Sequence, residues 1–194
     1  MESPRSPRIC VYCASRLGDD PEFERSALTV AEVFVDRGVD LVFGGGHVGL
    51  MGVLADAVLA GGRRVTGVIP KNLMDKEVGH MGVSQLLVVD DMPDRKRTMF
   101  NEADAFLTLP GGVGTMEEMF EVLCWAYLGL HPKPIGLLNV NGYYDDLIRF
   151  LDRSVGHGLT NPRARQLLRV DDEPERLVET LLSMIIDEGV KDPS

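Results

Sequence analysis

The stretch Pro110-Gly-Gly-Val-Gly-Thr-Met-Glu-Glu118 concentrates residue types that do chemistry. An apolar run precedes it and a helical pattern follows, so its glycines fall at the front of a helix. Gly111, Gly112 and Gly114 expose backbone N–H groups there. Those donors and the positive end of the helix dipole favour an anion, phosphate foremost. Thr115 adds a hydroxyl. No Lys-Ser or Lys-Thr follows the glycines, which excludes a Walker A loop. Glu117 and Glu118 fall within the first helical turn on this reading, where acids complement the dipole. Glu118, however, is three residues from Thr115 and shares its side of the helix. A carboxylate beside an anion is electrostatically unfavourable, which points to a task such as holding sugar hydroxyls or stabilising positive charge.

A second loop, Gly44-Gly-Gly-His-Val-Gly49, contains G-x-G-x-x-G between a strand and a helix. A nicotinamide site also needs an acid about 20 positions on. The corresponding stretch, Val65-Thr-Gly-Val-Ile-Pro70, has none, which disfavours NAD. The loop is either a tight packing turn or a nucleotide cradle of another kind, with Gly45 and Gly46 toward the ligand. Arg95-Lys96-Arg97 is a basic run in a chain with 20 basic and 30 acidic residues. On a helix these three diverge, so one or two face a pocket and the third stays in water.

Cys10 and Cys13 form a C-x-x-C, but on a strand residues three apart face opposite sides. No second pair completes a metal site. Cys124 makes an odd total of three, which argues against a disulfide framework. His47, His80, His131 and His157 are scattered and read as structural or exposed, so no metal site is expected.

The elements that must position these residues alternate strand and helix. Strands are expected at Ile9 to Cys13, Asp40 to Phe43, Val65 to Ile69, Leu86 to Val89, Ala105 to Leu109 and Ile135 to Leu138, with a short one at Leu167 to Val170. Helices are expected at Pro21 to Arg37, Leu50 to Ala60, Met92 to Glu102, Thr115 to Leu128, Tyr143 to Ser154 and Pro174 to Ile186. Asp20 caps the first, Pro21 opens it and Gly38 closes it. Pro70 to Val83 is irregular and long for a connector, which suggests function. This order implies an α/β fold, a Rossmann-like doubly wound parallel sheet sandwiched by helices in a single domain. Ligands bind such folds beyond the carboxyl ends of the strands, where both glycine loops fall. Residues 1–8 read as a flexible tail, 9–187 as the nucleotide-binding α/β domain and 188–194 as a C-terminal tail.

At 194 residues the chain is long enough to bury a core without staples. A net charge of −10 disfavours nucleic acid as a partner while allowing a small phosphate ligand in a local pocket. No apolar run approaches the roughly 20 residues that span a bilayer, and the polar N-terminus lacks a signal peptide's apolar core. No membrane partner and a cytoplasmic location are therefore expected.

Taken together the motifs resemble the LONELY GUY (LOG) family of cytokinin-activating phosphoribohydrolases, sometimes labelled lysine decarboxylases. The family's P-G-G-x-G-T-x-x-E motif is matched by Pro110, Gly111, Gly112, Gly114, Thr115 and Glu118, and its Arg-Lys helix by Arg95 and Lys96. The G-G-G-x-x-G-L-M-G loop is matched from Gly44 to Gly52, and similarity continues through Lys133-Pro134 and Gly142-Tyr-Tyr144. The resemblance implies hydrolysis of the N-glycosidic bond of adenosine 5′-monophosphates, plain or N6-modified, to free base and ribose 5-phosphate. It implies Arg95 and Glu118 as the catalytic pair. Gly112, Val113, Gly114, Thr115, Met116 and Glu117 would line the phosphate and ribose site with Gly111. Glu77 and Lys96 would contact substrate, Ser15 would add a phosphate donor, and Met92 and Cys124 would border the base. Ala14 and Arg16 stand where the family turn has Gly and Ser. The resemblance implies a homodimer, and the chemistry calls for no cofactor and no metal. A nucleotide carrier without catalysis and a pyridoxal-phosphate decarboxylase are the alternative readings.

Overall fold

A computed structural model describes residues 5–74 and 78–191, with side chains through Ile186. Its parallel sheet is built from β1 (Arg8–Tyr12), β2 (Asp40–Phe43), β3 (Val65–Pro70), β4 (Gln85–Val89), β5 (Ala105–Thr108), β6 (Ile135–Leu138) and β7 (Leu168–Asp171). The helices are α1 (Pro21–Arg37), α2 (Gly49–Ala60), α3 (Met92–Glu102), α4 (Val113–Tyr127), α5 (Asp145–Gly156), α6 (Pro162–Leu167) and α7 (Pro174–Lys191).

The strand order β4-β3-β2-β1-β5-β6-β7 winds outward from β1 in both directions. This is the expected Rossmann-like sandwich, and its topological switch point lies between β1 and β5. Residues alternate faces along each strand. Ile9 and Val11 pack with α1, α2 and α7 on one side. Cys10 and Tyr12 pack with α3, α4 and α5 on the other. Nearly every position of the central strands is buried, as a sheet covered on both faces requires. Cys10 and Cys13 thus enter opposite cores and form no disulfide.

The signals that start and stop α1 act as read. The Asp20 carboxylate accepts from the Glu22 N–H, Pro21 opens the helix, and Gly38 closes it in the left-handed region at φ 69°. Several bounds shift by one or two residues from expectation, and the larger differences lie toward the ends of the chain. Arg8 opens β1 rather than ending a tail, and Arg5 and Arg8 pair with Asp104 and Glu102. α7 continues through Lys191. The six-residue α6 was not anticipated; Asn161 caps it by accepting from the Arg163 N–H. No described helix is long and apolar enough to cross a membrane.

Candidate active site

The carboxyl ends of β1 and β5 diverge at the switch point and leave a crevice, as they must in this topology. It forms a cavity of about 480 Å³ lined by the end of β1 and the following turn, by Gly44 and Met51, by Met92 and Arg95 of α3, and by the front of α4. The turn after β1 is tied to the loop after β5, because the Ala14 N–H donates to the Pro110 carbonyl at 3.1 Å.

α4 begins at Val113, two residues earlier than expected. Glu117 and Glu118 therefore lie in its second turn, and its first turn holds no acid. Gly112 caps the helix with no side-chain hydrogen bond. The leading amides are thus uncapped and face the cavity, where an anion meets both them and the dipole. The glycines of this loop serve different ends. A Cβ on Gly111 would collide with the Thr115 side chain, whereas one on Gly112 or Gly114 would meet no atom within 4 Å. Packing within the described protein therefore does not require glycine at 112 or 114; bare backbone there keeps cavity space open. The Tyr143 hydroxyl donates to the Gly111 carbonyl at 2.9 Å and the Tyr144 hydroxyl to the Leu109 carbonyl at 2.8 Å, fixing the loop from behind.

Arg95 is only 5% exposed, and its Nη2 donates to the Gly44 carbonyl at 2.7 Å. A Cβ on Gly44 would displace that guanidinium from its present position. Arg95 and Glu118 bring opposite charges to one cavity. The charge of Glu118 is felt across the crevice. Burial first, and then this carboxylate, hold the Cys10 and Cys13 thiols well above the ordinary range. Arg97 points outward, 70% exposed.

Of the residues singled out from sequence, Ser15, Met92, Arg95, Gly112, Val113, Gly114, Thr115, Glu117 and Glu118 line the cavity. Gly45, Gly46, Lys96, Gly111, Met116 and Cys124 do not. Gly45 and Gly46 shape the neighbouring crossing instead. Gly45 takes φ 76°, and Gly46 bridges Gly79. Lys96 Nζ is bound to the carboxylates of Glu117 and Glu121 on α4, so it joins the two helices. Burial alone would lower the Lys96 ammonium, but those two carboxylates outweigh it and leave its pKa above the lysine value. Cys124 is exposed and lies about 16 Å along α4 from its first residue at 1.5 Å per residue. Glu77 falls outside the described residues. Arg16 and Gly44 line the cavity without having been singled out as ligand contacts. The position of the first βα turn at a switch point is the signal that finds Arg16.

The histidines are less scattered than their spacing suggests. His47 and His80 stack at 3.9 Å between ring centroids, and the Asp56 carboxylate joins them at 3.0 and 2.8 Å. These three are the described residues whose donor atoms could hold a metal ion, all within 4.8 Å of one another. The Gly82 N–H donates to His80 Nδ1 at 3.2 Å, which leaves the His80 proton on Nε2, facing Asp56. The trio as it stands is a hydrogen-bonded clasp, and it fastens the 44–49 loop to the segment around Gly79.

A family model described as possible lysine decarboxylase matches residues 51–181. The cytokinin riboside 5′-monophosphate phosphoribohydrolase LOG7 of Arabidopsis thaliana is 47% identical over 183 residues, 93% of this chain and 84% of the relative. The probable cytokinin riboside 5′-monophosphate phosphoribohydrolase LOGL2 of Oryza sativa is 46% identical over 177 residues, 91% of this chain and 72% of that one. Among solved structures, the molybdenum cofactor binding protein of Rippkaea orientalis superposes with a TM-score of 0.69 at 20% identity, over 94% of this chain and 99% of the other. The molybdenum cofactor carrier protein of Chlamydomonas reinhardtii gives 0.67 at 19%, over 92% and 99%. At such identities these two likenesses speak to the fold alone.

Proposed function

Because the chain belongs to the LONELY GUY family of cytokinin riboside 5′-monophosphate phosphoribohydrolases, we propose that it hydrolyses the N-glycosidic bond of adenosine 5′-monophosphates, plain or N6-modified, to a free adenine-type base and ribose 5-phosphate. One observation carries the assignment of residues. The switch-point cavity presents the uncapped front of α4, with open space over Gly112 and Gly114, together with Glu118 one turn deeper and the buried Arg95 opposite.

The roles follow from the charge the reaction develops. The 5′-phosphate sits on the amides of Val113, Gly114 and Thr115, with Ser15 at the facing turn. As the bond to the base lengthens, the ribose gains oxocarbenium character and the base gains negative charge. The Glu118 carboxylate stabilises the first and holds the ribose hydroxyls. Arg95 offsets the second. An arginine holds its proton at working pH, so its contribution is electrostatic rather than proton donation. Binding energy from the remote phosphate favours nucleotides over nucleosides. Met92, Met51 and Leu73 supply apolar lining for the base.

A pyridoxal-phosphate decarboxylase needs a lysine that readily loses its proton to form a Schiff base. Lys96, beside Arg95, is held as an ammonium by Glu117 and Glu121, which favours the hydrolase over that reading. A carrier would retain the phosphate cradle and have no need of Glu118.

The test is incubation with AMP and with isopentenyl-AMP, followed by detection of free base and ribose 5-phosphate. Glu118→Gln is expected to lower kcat by about 10²–10³, the loss typical of one preorganised electrostatic group, while nucleotide still binds. Turnover unchanged in this variant, or no cleavage of either nucleotide by the wild type, would reject the assignment. We also place the protein in the cytoplasm as a homodimer. Exposed Leu128 and Leu130 past α4 offer apolar surface to a second copy. Light scattering coupled to size exclusion should return twice the 21.3 kDa chain mass.

A further inference from the structure

The turn after β1 brings a cation to the cavity that the reaction described above leaves unused. Arg16 lines the cavity and is exposed. Among the described residues it enters none of the ion pairs. The neighbouring cations are committed elsewhere: Arg95 to the Gly44 carbonyl, Lys96 to Glu117 and Glu121.

The mount of Arg16 is rigid. Ala14 is hydrogen-bonded to Pro110, as described above. Gly49, in the left-handed region at φ 59°, has no room for a Cβ because the backbone of Ser15 and Arg16 fills that space. The turn is thus packed against both glycine loops, and it faces α4 across the switch point. The charge balance of the cavity then matters. A phosphate monoester brings about −1.5 to −2 at neutral pH, and Glu117 and Glu118 already line the walls. Arg95 offsets one of these carboxylates and Lys96 holds Glu117, which leaves the front of one helix, roughly half a positive charge, to meet the phosphate.

We propose that Arg16 pairs with the 5′-phosphate of the substrate and sets the preference for a nucleoside 5′-monophosphate over the nucleoside. This inference rests on the nucleotide reading given above. A guanidinium matches two phosphate oxygens at once, which a lysine does not reproduce.

The experiment compares wild type, Arg16→Ser and Arg16→Lys with AMP and with adenosine as substrates. Inorganic phosphate and ribose 5-phosphate are titrated calorimetrically in parallel. In Arg16→Ser, KM for AMP should rise about tenfold or more, the loss expected for a charge-assisted hydrogen bond, with kcat changed far less. The preference for AMP over adenosine should fall by the same factor, and Arg16→Lys should recover part of it. Ribose 5-phosphate should bind correspondingly more weakly to Arg16→Ser. Equal losses for AMP and adenosine would show a structural role for the turn and overturn the proposal, as would an unchanged KM. Absence of hydrolysis in the wild type, with phosphate binding still dependent on Arg16, would instead reject the reaction while keeping the anion partner.

Discussion

Gly114→Ala should stabilise the folded chain and damage its chemistry. Gly114 is the second residue of α4, and a Cβ there meets no protein atom within 4 Å. The substitution therefore carries no internal clash. Replacing a glycine whose backbone suits alanine raises stability by about 0.4–1 kcal/mol, through reduced freedom of the unfolded chain and better helix propensity. For a chain of this size that is a rise in Tm of about 1–4 °C. The same methyl group enters the space over the leading amides of α4, where the phosphate is assigned. A shift of about 1 Å in a positioned substrate costs on the order of 10² in rate, so kcat/KM for AMP should fall by about that factor. Differential scanning fluorimetry and steady-state product release measure the two effects on one preparation. Gly111→Ala is the control with opposite logic, since its Cβ would strike Thr115; it should lose both stability and activity. A Gly114→Ala enzyme with wild-type KM and kcat would place the anion elsewhere and refute the reasoning. A fall in Tm would refute the claim that the space is free.

Further outcomes follow from the cysteines and from His131. In native protein a thiol reagent at pH 8 should titrate Cys124, which is exposed, while buried Cys10 and Cys13 stay silent until denaturant is added; rapid native reaction of all three would contradict their burial. Burial pulls the His131 pKa below the histidine value of 6.5 against an opposing hydrogen bond from its ring to the Val122 carbonyl. The unfolded chain then binds a proton that the folded one resists, so the contribution of His131 is fully kept above pH 6.5 and falls as pH drops through that value toward the folded pKa. The urea midpoint of the wild type should therefore decline more between pH 7.5 and 5.5 than that of His131→Gln, and parallel declines would discount this residue.

Much of the fold was legible because its signals are local. Asp20, Pro21 and Gly38 bracket α1 by capping chemistry, and Met92 to Glu102 and Ile135 to Leu138 have the observed bounds of α3 and β6. The six residues of α6 are too few to establish a period, so it escaped notice. Reading α4 from Thr115 put Glu117 and Glu118 a turn too early, because glycines carry no propensity that marks a helix start. The sequence places Arg95 and Glu118 on helices, where they are found, yet the crevice that collects them depends on strand order. That order arises from pairing between β1 and β5, which sets Ile9 beside Ala105 and Cys10 beside Phe106, neighbours across the switch point only after folding. The turn at Ser15 and Arg16 belongs to the same class of feature. So does the stack of His47 and His80, brought together by a tertiary crossing.

The two phenols behind the glycine loop have a consequence for how firmly the wall in front of it is held. Tyr143 and Tyr144 each occupy a lone pair on a carbonyl, at Gly111 and Leu109, and neither tyrosine borders the cavity. Those two bonds hold the main chain just before the front of α4, whose leading N–H groups an arriving oxyanion meets. A part of the chain outside the cavity lining thereby steadies the berth. Losing either hydroxyl would strip that carbonyl of its partner and loosen, from behind, the strand of main chain that leads into the berth.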